Sequence, residues 1–114
     1  MSPRVAIAAV SGATVAALVA CAGVSELAPP ADGPVLTAAE ARGLSAESVA
    51  RGRALVVGEC ARCHRPVAPA TLSESEWRDT VARMARKAGV TPEQATDVLA
   101  YELAARQASI PASR

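Results

Sequence analysis

Three segments after residue 44 are predicted to be helical, and apolar side chains recur at helical spacing in the first of them. This segment runs from Ala46 to about Glu59, and Ser45 precedes it as a predicted N-cap. Its inward face comprises Val49, Gly52 and Val56. A glycine inside a helix costs about 1 kcal/mol relative to alanine. Gly52 therefore predicts that another helix approaches closely at this point, unless it is only a local weak spot.

The second segment has clear signals at both ends. Ser73 and Glu76 have the spacing of a capping box, and Gly89 marks the end of the predicted helix. At about 100° per residue, its apolar side chains form one narrow stripe. The members of this stripe are Trp77, Val81, Met84 and Ala88.

A third helix is predicted to begin after Thr91, with Pro92 at its first position, and to run to about Gln107. Its apolar flank is expected to pack on the first helix near Gly52, and it comprises Val98, Leu99, Tyr101 and Leu103. Three helices without a strand pattern predict an all-α fold, with one domain over residues 45–108. Residues 109–114 are expected to form a disordered tail.

The amino terminus has the three parts of a secretory signal. Arg4 supplies a positive charge, the apolar run Val5–Ala20 follows, and small residues precede Cys21. The run is short for a spanning helix, which needs about 20 apolar residues. Residues 1–20 are therefore predicted to be a signal peptide. Residues 21–44, rich in Ala, Pro and Gly, are expected to form a flexible tether.

The stretch Leu18-Val19-Ala20-Cys21 resembles the lipobox of bacterial lipoproteins. The resemblance implies cleavage before Cys21 and a lipid anchor on that residue, on the periplasmic side of the bacterial cell envelope. Ala22 in the following position favours the outer membrane. The alternatives are an ordinary signal peptide with an incidental cysteine and an uncleaved anchor.

The run Cys60-Ala61-Arg62-Cys63-His64 has the spacing of a c-type haem attachment site. Each thiol can form a thioether with one vinyl group of the porphyrin, and the adjacent imidazole can bind the iron as the proximal ligand. The sequence therefore predicts one covalent haem c. With only two aromatic side chains, Trp77 and Tyr101, so small a domain also needs a large apolar group in its interior.

Two other kinds of site share a Cys-x-x-Cys pair. A tetrahedral zinc site needs four ligands, but the only other cysteine is Cys21 and the only histidine is His64. A thioredoxin-like pair opens a helix after a strand, whereas the segment before Cys60 is predicted to be helical. Both alternatives are weaker than haem attachment.

Residues 45–106 resemble the small monohaem cytochrome c family. The resemblance depends on the complete attachment motif Cys60–His64, on Gly52 in the first helix and on the aromatic-x-leucine triplet Tyr101–Leu103. It implies an all-α fold, two terminal helices that cross beside the haem, and electron transfer. The usual methionine ligand of the family lies in a loop, whereas Met84 lies in a predicted helix, as in small cytochrome domains with an Arg-Met pair.

Met84 is the predicted distal ligand, because the chain has no second histidine and no other methionine after Met1. A thioether opposite His64 stabilises ferrous iron and raises the reduction potential. Alternatively, Met84 is a packing residue, as methionines in apolar stripes usually are. In that case Lys87 or water binds the iron, or the position is open.

These features predict an electron carrier rather than an enzyme, with a redox protein as donor and another as acceptor. A dehydrogenase or oxidase could hold it as a fixed cytochrome subunit. The alternative is a haem-based ligand sensor or small haem enzyme with an open sixth position.

Removal of residues 1–20 leaves eleven basic and eleven acidic side chains. The remaining chain therefore lacks the excess of basic residues that is typical of nucleic-acid-binding proteins. Arg62 within the motif and Arg65 directly after it could pair with a propionate or steer a partner, or they are ordinary solvated side chains.

Overall fold

The computed structural model describes residues 23–112, and all regular structure in this range is helical. It contains helices α1 (Gly33–Ala41), α2 (Ala46–Val57), α3 (Glu74–Ala88) and α4 (Pro92–Ser109). Short 3-10 turns cover Cys60–Arg62 and Pro69–Thr71, and residues 23–27 are helical. The prediction of an all-α fold is confirmed for this part of the chain. Within it, every helix is too short or too polar to cross a membrane.

The helix ends follow the predicted capping signals. The Ser45 hydroxyl accepts a hydrogen bond from the Ser48 backbone N–H at 3.1 Å. In α3, the Glu76 N–H donates to the Ser73 hydroxyl at 3.2 Å, and the Ser73 N–H donates to the Glu76 carboxylate at 2.7 Å. Gly89 ends this helix in the left-handed conformation, at φ 67°. Because these caps are local, their residues alone locate the ends of the helices.

Helices α2 and α4 form the most extensive helix pair, and Gly52 lies where they meet. A Cβ atom at Gly52 would overlap the backbone carbonyl oxygen of Asp97 and lie 2.8 Å from the Cβ of Tyr101. The predicted close approach at Gly52 is therefore confirmed. Since even a methyl group does not fit, glycine is required at this position by packing.

The side chain of Asp97 joins the same two helices beside Gly52. Its carboxylate accepts hydrogen bonds from the Arg51 Nε at 2.8 Å and from the Ser48 hydroxyl at 2.6 Å. The hydrogen bond from Arg51 is the main reason why the pKa of Asp97 is lowered from its ordinary value. These contacts fix the register of α2 against α4 at the solvent-facing edge of the crossing.

The expectation of a flexible tether over residues 21–44 is wrong for residues 28–44. Ala28 is fully buried, and α1 buries Val35, Ala38 and Ala39 as it packs on α4. The spacing of these three apolar residues is helical, but their small size among Pro and Gly concealed the pattern. Pro34 lies in the first turn of α1, where proline is tolerated. It therefore helps to start a helix here instead of keeping the chain extended.

Two side chains attach the segment before α1 to the helix pair. Arg53 donates to the backbone carbonyl oxygens of Ala28 and Pro29 at 3.1 and 3.0 Å. The Tyr101 hydroxyl donates to the same Pro29 oxygen at 2.8 Å. The folded domain thus includes residues that the sequence assigned to the tether.

Some predictions concern residues outside the described range. The signal peptide over residues 1–20 and the lipid anchor at Cys21 both lie there, so they stay predictions. At the other end, α4 extends to Ser109, one residue beyond the predicted domain.

Candidate functional site

The attachment motif begins shortly after the end of α2, and its Cys60, Cys63 and His64 line a cavity of about 330 Å³. Helices α3 and α4 form the other walls of this cavity. Its volume lies within the range of about 300–1,000 Å³ that is typical of sites for small molecules and cofactors. Most lining side chains are apolar, among them Val56, Val67, Trp77, Val81, Met84, Ala88, Val90, Ala95 and Val98.

All four members of the apolar stripe of α3 line the cavity. Trp77 is 4% exposed, and its indole N–H donates to the Pro69 carbonyl oxygen at 2.8 Å. This bond satisfies the polar end of the ring while its apolar face borders the cavity. The stripe therefore forms a wall whose largest side chain is fixed in one orientation.

Cys60 and Cys63 both line the cavity and form no disulfide. Cys60 is partly buried, whereas Cys63 is exposed. Burial raises the pKa of the Cys60 thiol, and the nearby carboxylates of Glu102 and Glu59 raise it further. A redox-active or nucleophilic cysteine needs a lowered pKa. The electrostatics around Cys60 therefore disfavour the thioredoxin-like alternative.

His64 lines the same cavity with an exposed imidazole. Its Nδ1 lies 2.8 Å from the carbonyl oxygen of Arg65. Because a carbonyl oxygen only accepts hydrogen bonds, Nδ1 is the nitrogen that bears the proton, and the neutral ring has its lone pair on Nε2. Histidine ligands commonly donate their second N–H to a carbonyl, which fixes the tautomer and the orientation of the ring. The imidazole is thus suited to bind a metal through Nε2.

Met84 and Lys87, the two side chains considered as distal ligands, both line the cavity. Met84 is partly buried, whereas Lys87 is exposed. The arrangement therefore brings the thioether and His64 to one cavity from different parts of the chain. Ligation by Met84 stays a prediction.

The basic residues beside the motif lie at the surface. Arg62 is 74% exposed at its side chain and pairs with Glu59 at 3.0 Å, three residues earlier. Arg65 is also exposed. An exposed pair of this kind contributes little to stability. The roles predicted for Arg62 and Arg65 toward a propionate or a partner stay predictions.

Sequence reasoning missed the role of Glu102 in the cavity. This residue is only 3% exposed and lines the wall formed by α4. It occupies the same helical face as Ala95 and Val98, at spacings of seven and four residues. One acid in an otherwise apolar stripe was the available signal. This signal is weak, because a charged residue in a helix usually faces solvent.

The residues around the cavity fit a haem. Apart from Glu102, the walls are largely apolar, and both thiols and the imidazole of His64 lie at one side. Among residues 23–112, no group of three or more His, Cys, Asp and Glu side chains is arranged to hold a metal ion. A haem iron needs only one or two ligands from the chain, since the porphyrin supplies four nitrogens.

Comparison with protein-family models, curated proteins and solved structures found no match to this chain.

Proposed function

We propose that this chain is a membrane-anchored monohaem cytochrome c that transfers single electrons between periplasmic redox partners. The observation that carries the proposal is the common cavity of Cys60, Cys63, His64 and Met84. A covalent attachment pair, an imidazole and a thioether thus border one apolar space. Bound haem supplies an iron that gains and loses one electron.

Each residue has a distinct task in this proposal. Cys60 and Cys63 hold the porphyrin through thioether bonds, so that the group is not lost between reactions. His64 binds the iron through Nε2, with its ring oriented by the hydrogen bond to Arg65. Met84 would hold the iron through its thioether sulfur. Two retained ligands and largely apolar walls would keep structural change small during electron transfer.

The visible spectrum of the full chain, expressed with a haem-attachment system, tests this proposal. We expect a covalent haem whose reduced low-spin spectrum does not change with carbon monoxide. The matched control replaces both Cys60 and Cys63 by serine, which should abolish covalent attachment. Failure of the wild-type chain to bind haem covalently would overturn the proposal. A prompt shift with carbon monoxide would instead indicate an open iron and favour the sensor or small-enzyme alternative.

The membrane anchor has a separate test. Replacing Cys21 with serine removes the sulfur that would carry the lipid, so the protein should move from the membrane fraction to the soluble fraction. Several acyl chains give durable binding, whereas one chain is marginal, so the change should be nearly complete. Continued sedimentation of the variant with membranes would contradict lipid anchoring at Cys21.

A further inference from the structure

Glu102 is a buried carboxyl group in the wall of the cavity. Its side chain is 3% exposed, and its Oε2 has no hydrogen-bond partner among the described residues. An acid in such a place is costly when charged and is usually paired. Burial raises the pKa of Glu102 to about 8. The group is therefore able to exist in both protonation states near neutral pH.

Other titratable groups around the cavity do not substitute for Glu102. Cys60 lies in the 3-10 turn Cys60–Arg62, and Cys63 and His64 follow that turn; all three line the cavity. In the haem-loaded protein these side chains would be bonded to haem, so they would not take up a proton. Residue Glu59, after α2, and Lys87 of α3 also line the cavity, but both are exposed. Helix α1 contributes no titratable side chain to this wall.

Tyr101, the residue before Glu102, and Arg53, which shares a hydrogen-bond acceptor with Tyr101, are engaged elsewhere. The Tyr101 hydroxyl donates to the Pro29 carbonyl oxygen, and Arg53 donates to that oxygen and to that of Ala28. Glu102 is therefore the one buried acid among the described residues of the cavity wall. Its charge is screened less by water than that of an exposed group.

A charge added to the cavity must change the proton affinity of this carboxyl group. One electron makes the contents of the cavity more negative by one unit. A nearby negative charge disfavours the carboxylate and favours the neutral acid, and the interaction is strong where the dielectric is low. Electron uptake and proton uptake are therefore linked at Glu102.

We propose that Glu102 binds one proton from solvent when one electron from a reduced redox protein enters the cavity, and releases that proton when the electron leaves. The inference rests on the proposed function, since it requires a redox centre in the cavity. The balance is simple: one electron from the reduced redox protein enters the cavity, and the Glu102 carboxylate takes one proton from a hydronium ion of the solvent. The O–H bond that forms on the carboxylate replaces the O–H bond that breaks in that ion. The protein then carries a hydrogen equivalent instead of an electron alone.

The measurable consequence is a reduction potential that falls as pH rises. Across the range in which the reduced protein holds a proton that the oxidised protein lacks, each tenfold fall in proton concentration lowers the potential by about 59 mV. We expect this slope in the haem-loaded full chain. Replacing Glu102 with glutamine, which keeps the shape but cannot ionise, should reduce the protons taken up per electron by more than half.

The experiment is a redox titration of the haem-loaded wild-type chain, E102Q, E102D and E93Q between about pH 5 and about pH 10. Glu93 is exposed on the same helix, so E93Q removes a similar charge away from the cavity and should keep the slope. E102D keeps a carboxyl group and should retain a slope. Infrared difference spectra should show a protonated carboxyl band on reduction of the wild-type chain and its absence in E102Q.

The outcomes separate this inference from the proposed function. Covalent haem with the same slope in E102Q and wild type would overturn the role of Glu102 and leave the electron carrier intact. Absence of covalent haem would overturn both. If E102Q did not fold, the carboxyl band of the wild-type chain would decide: its appearance on reduction, with a slope kept in E102D, would support the proposal, and its absence would overturn it.

Discussion

The two sides of α4 differ in how they are packed. On one side, α4 packs against α2 so closely that Gly52 of α2 has no room for a methyl group beside Asp97 and Tyr101 of α4. Toward α3, the same helix borders a cavity of about 330 Å³. Side chains on the first side are fixed by their protein neighbours, whereas those on the second border a space suited to a cofactor. One helix thus joins a structural interface to a candidate site.

The largest expected effect comes from a change at the crossing. In the interior of an ordinary helix, replacing glycine with alanine stabilises the helix by about 1 kcal/mol. Because the new methyl group would overlap backbone atoms of α4, we expect the free energy of unfolding to fall by about 3 kcal/mol instead. Urea denaturation of the haem-loaded protein measures this difference. Ala50→Val, at an exposed position of α2, is the control for added bulk, and a stabilised G52A would contradict the close crossing.

A change on the cavity side should alter the proposed redox centre more than the fold. Met84→Leu removes the sulfur but nearly conserves volume, so the stability lost by packing should stay below about 1.5 kcal/mol. If the thioether binds iron, its loss should lower the reduction potential by on the order of 100 mV, within the roughly 0.8 V that axial ligands span. Because neither leucine nor alanine can bind iron, Met84→Leu and Met84→Ala should both open the iron to carbon monoxide. Unchanged spectra and potential in M84L would identify Met84 as a packing residue.

The smallest expected effect concerns the polar edge of the crossing. The hydrogen bond from Arg51 lowers the folded-state pKa of Asp97 below its ordinary value of 3.8. Asp97 therefore stabilises the fold above about pH 4. This contribution is lost as pH falls through the lower, folded-state pKa. Asp97→Asn should be slightly less stable than wild type at pH 7.

Thermal unfolding at several pH values checks the sign of this effect. The difference between wild type and D97N should shrink as the solution is acidified below pH 4, because protonation also weakens the ion pair in the wild-type chain. Asp79→Asn, at an exposed position of α3, controls for the loss of a carboxylate. A difference that grew on acidification would show that Asp97 does not act through its charge.

The sequence predicted the features that depend on short-range chemistry. Ser73, Glu76 and Gly89 located the ends of α3, and Gly52 predicted a close helix contact, because capping and steric exclusion involve few atoms. The wall formed by the stripe of α3 was also predictable, since a helix places residues three and four apart on one face.

Features that depend on distant parts of the chain were not predictable in the same way. Pro and Gly between residues 28 and 44 indicated a loose tether, and only the complementary surface of α4 explains why α1 is folded. Glu102 resembled an ordinary charged residue of an exposed helix face. Its burial depends on where α2, α3 and the attachment motif meet, and no local pattern contains that information.

The attachment of Ala28 and Pro29 to Arg53 and Tyr101 also limits how far the domain can lie from a lipid surface. If Cys21 is the anchor, about seven residues separate it from Ala28, a reach of at most about 25 Å when fully extended. A free chain up to residue 44 would reach about three times as far. Such a short connection between Cys21 and Ala28 would confine the domain to a layer next to the bilayer. There it would meet partners by lateral diffusion. Electron delivery across a wide periplasm would then require the partners to come to the membrane.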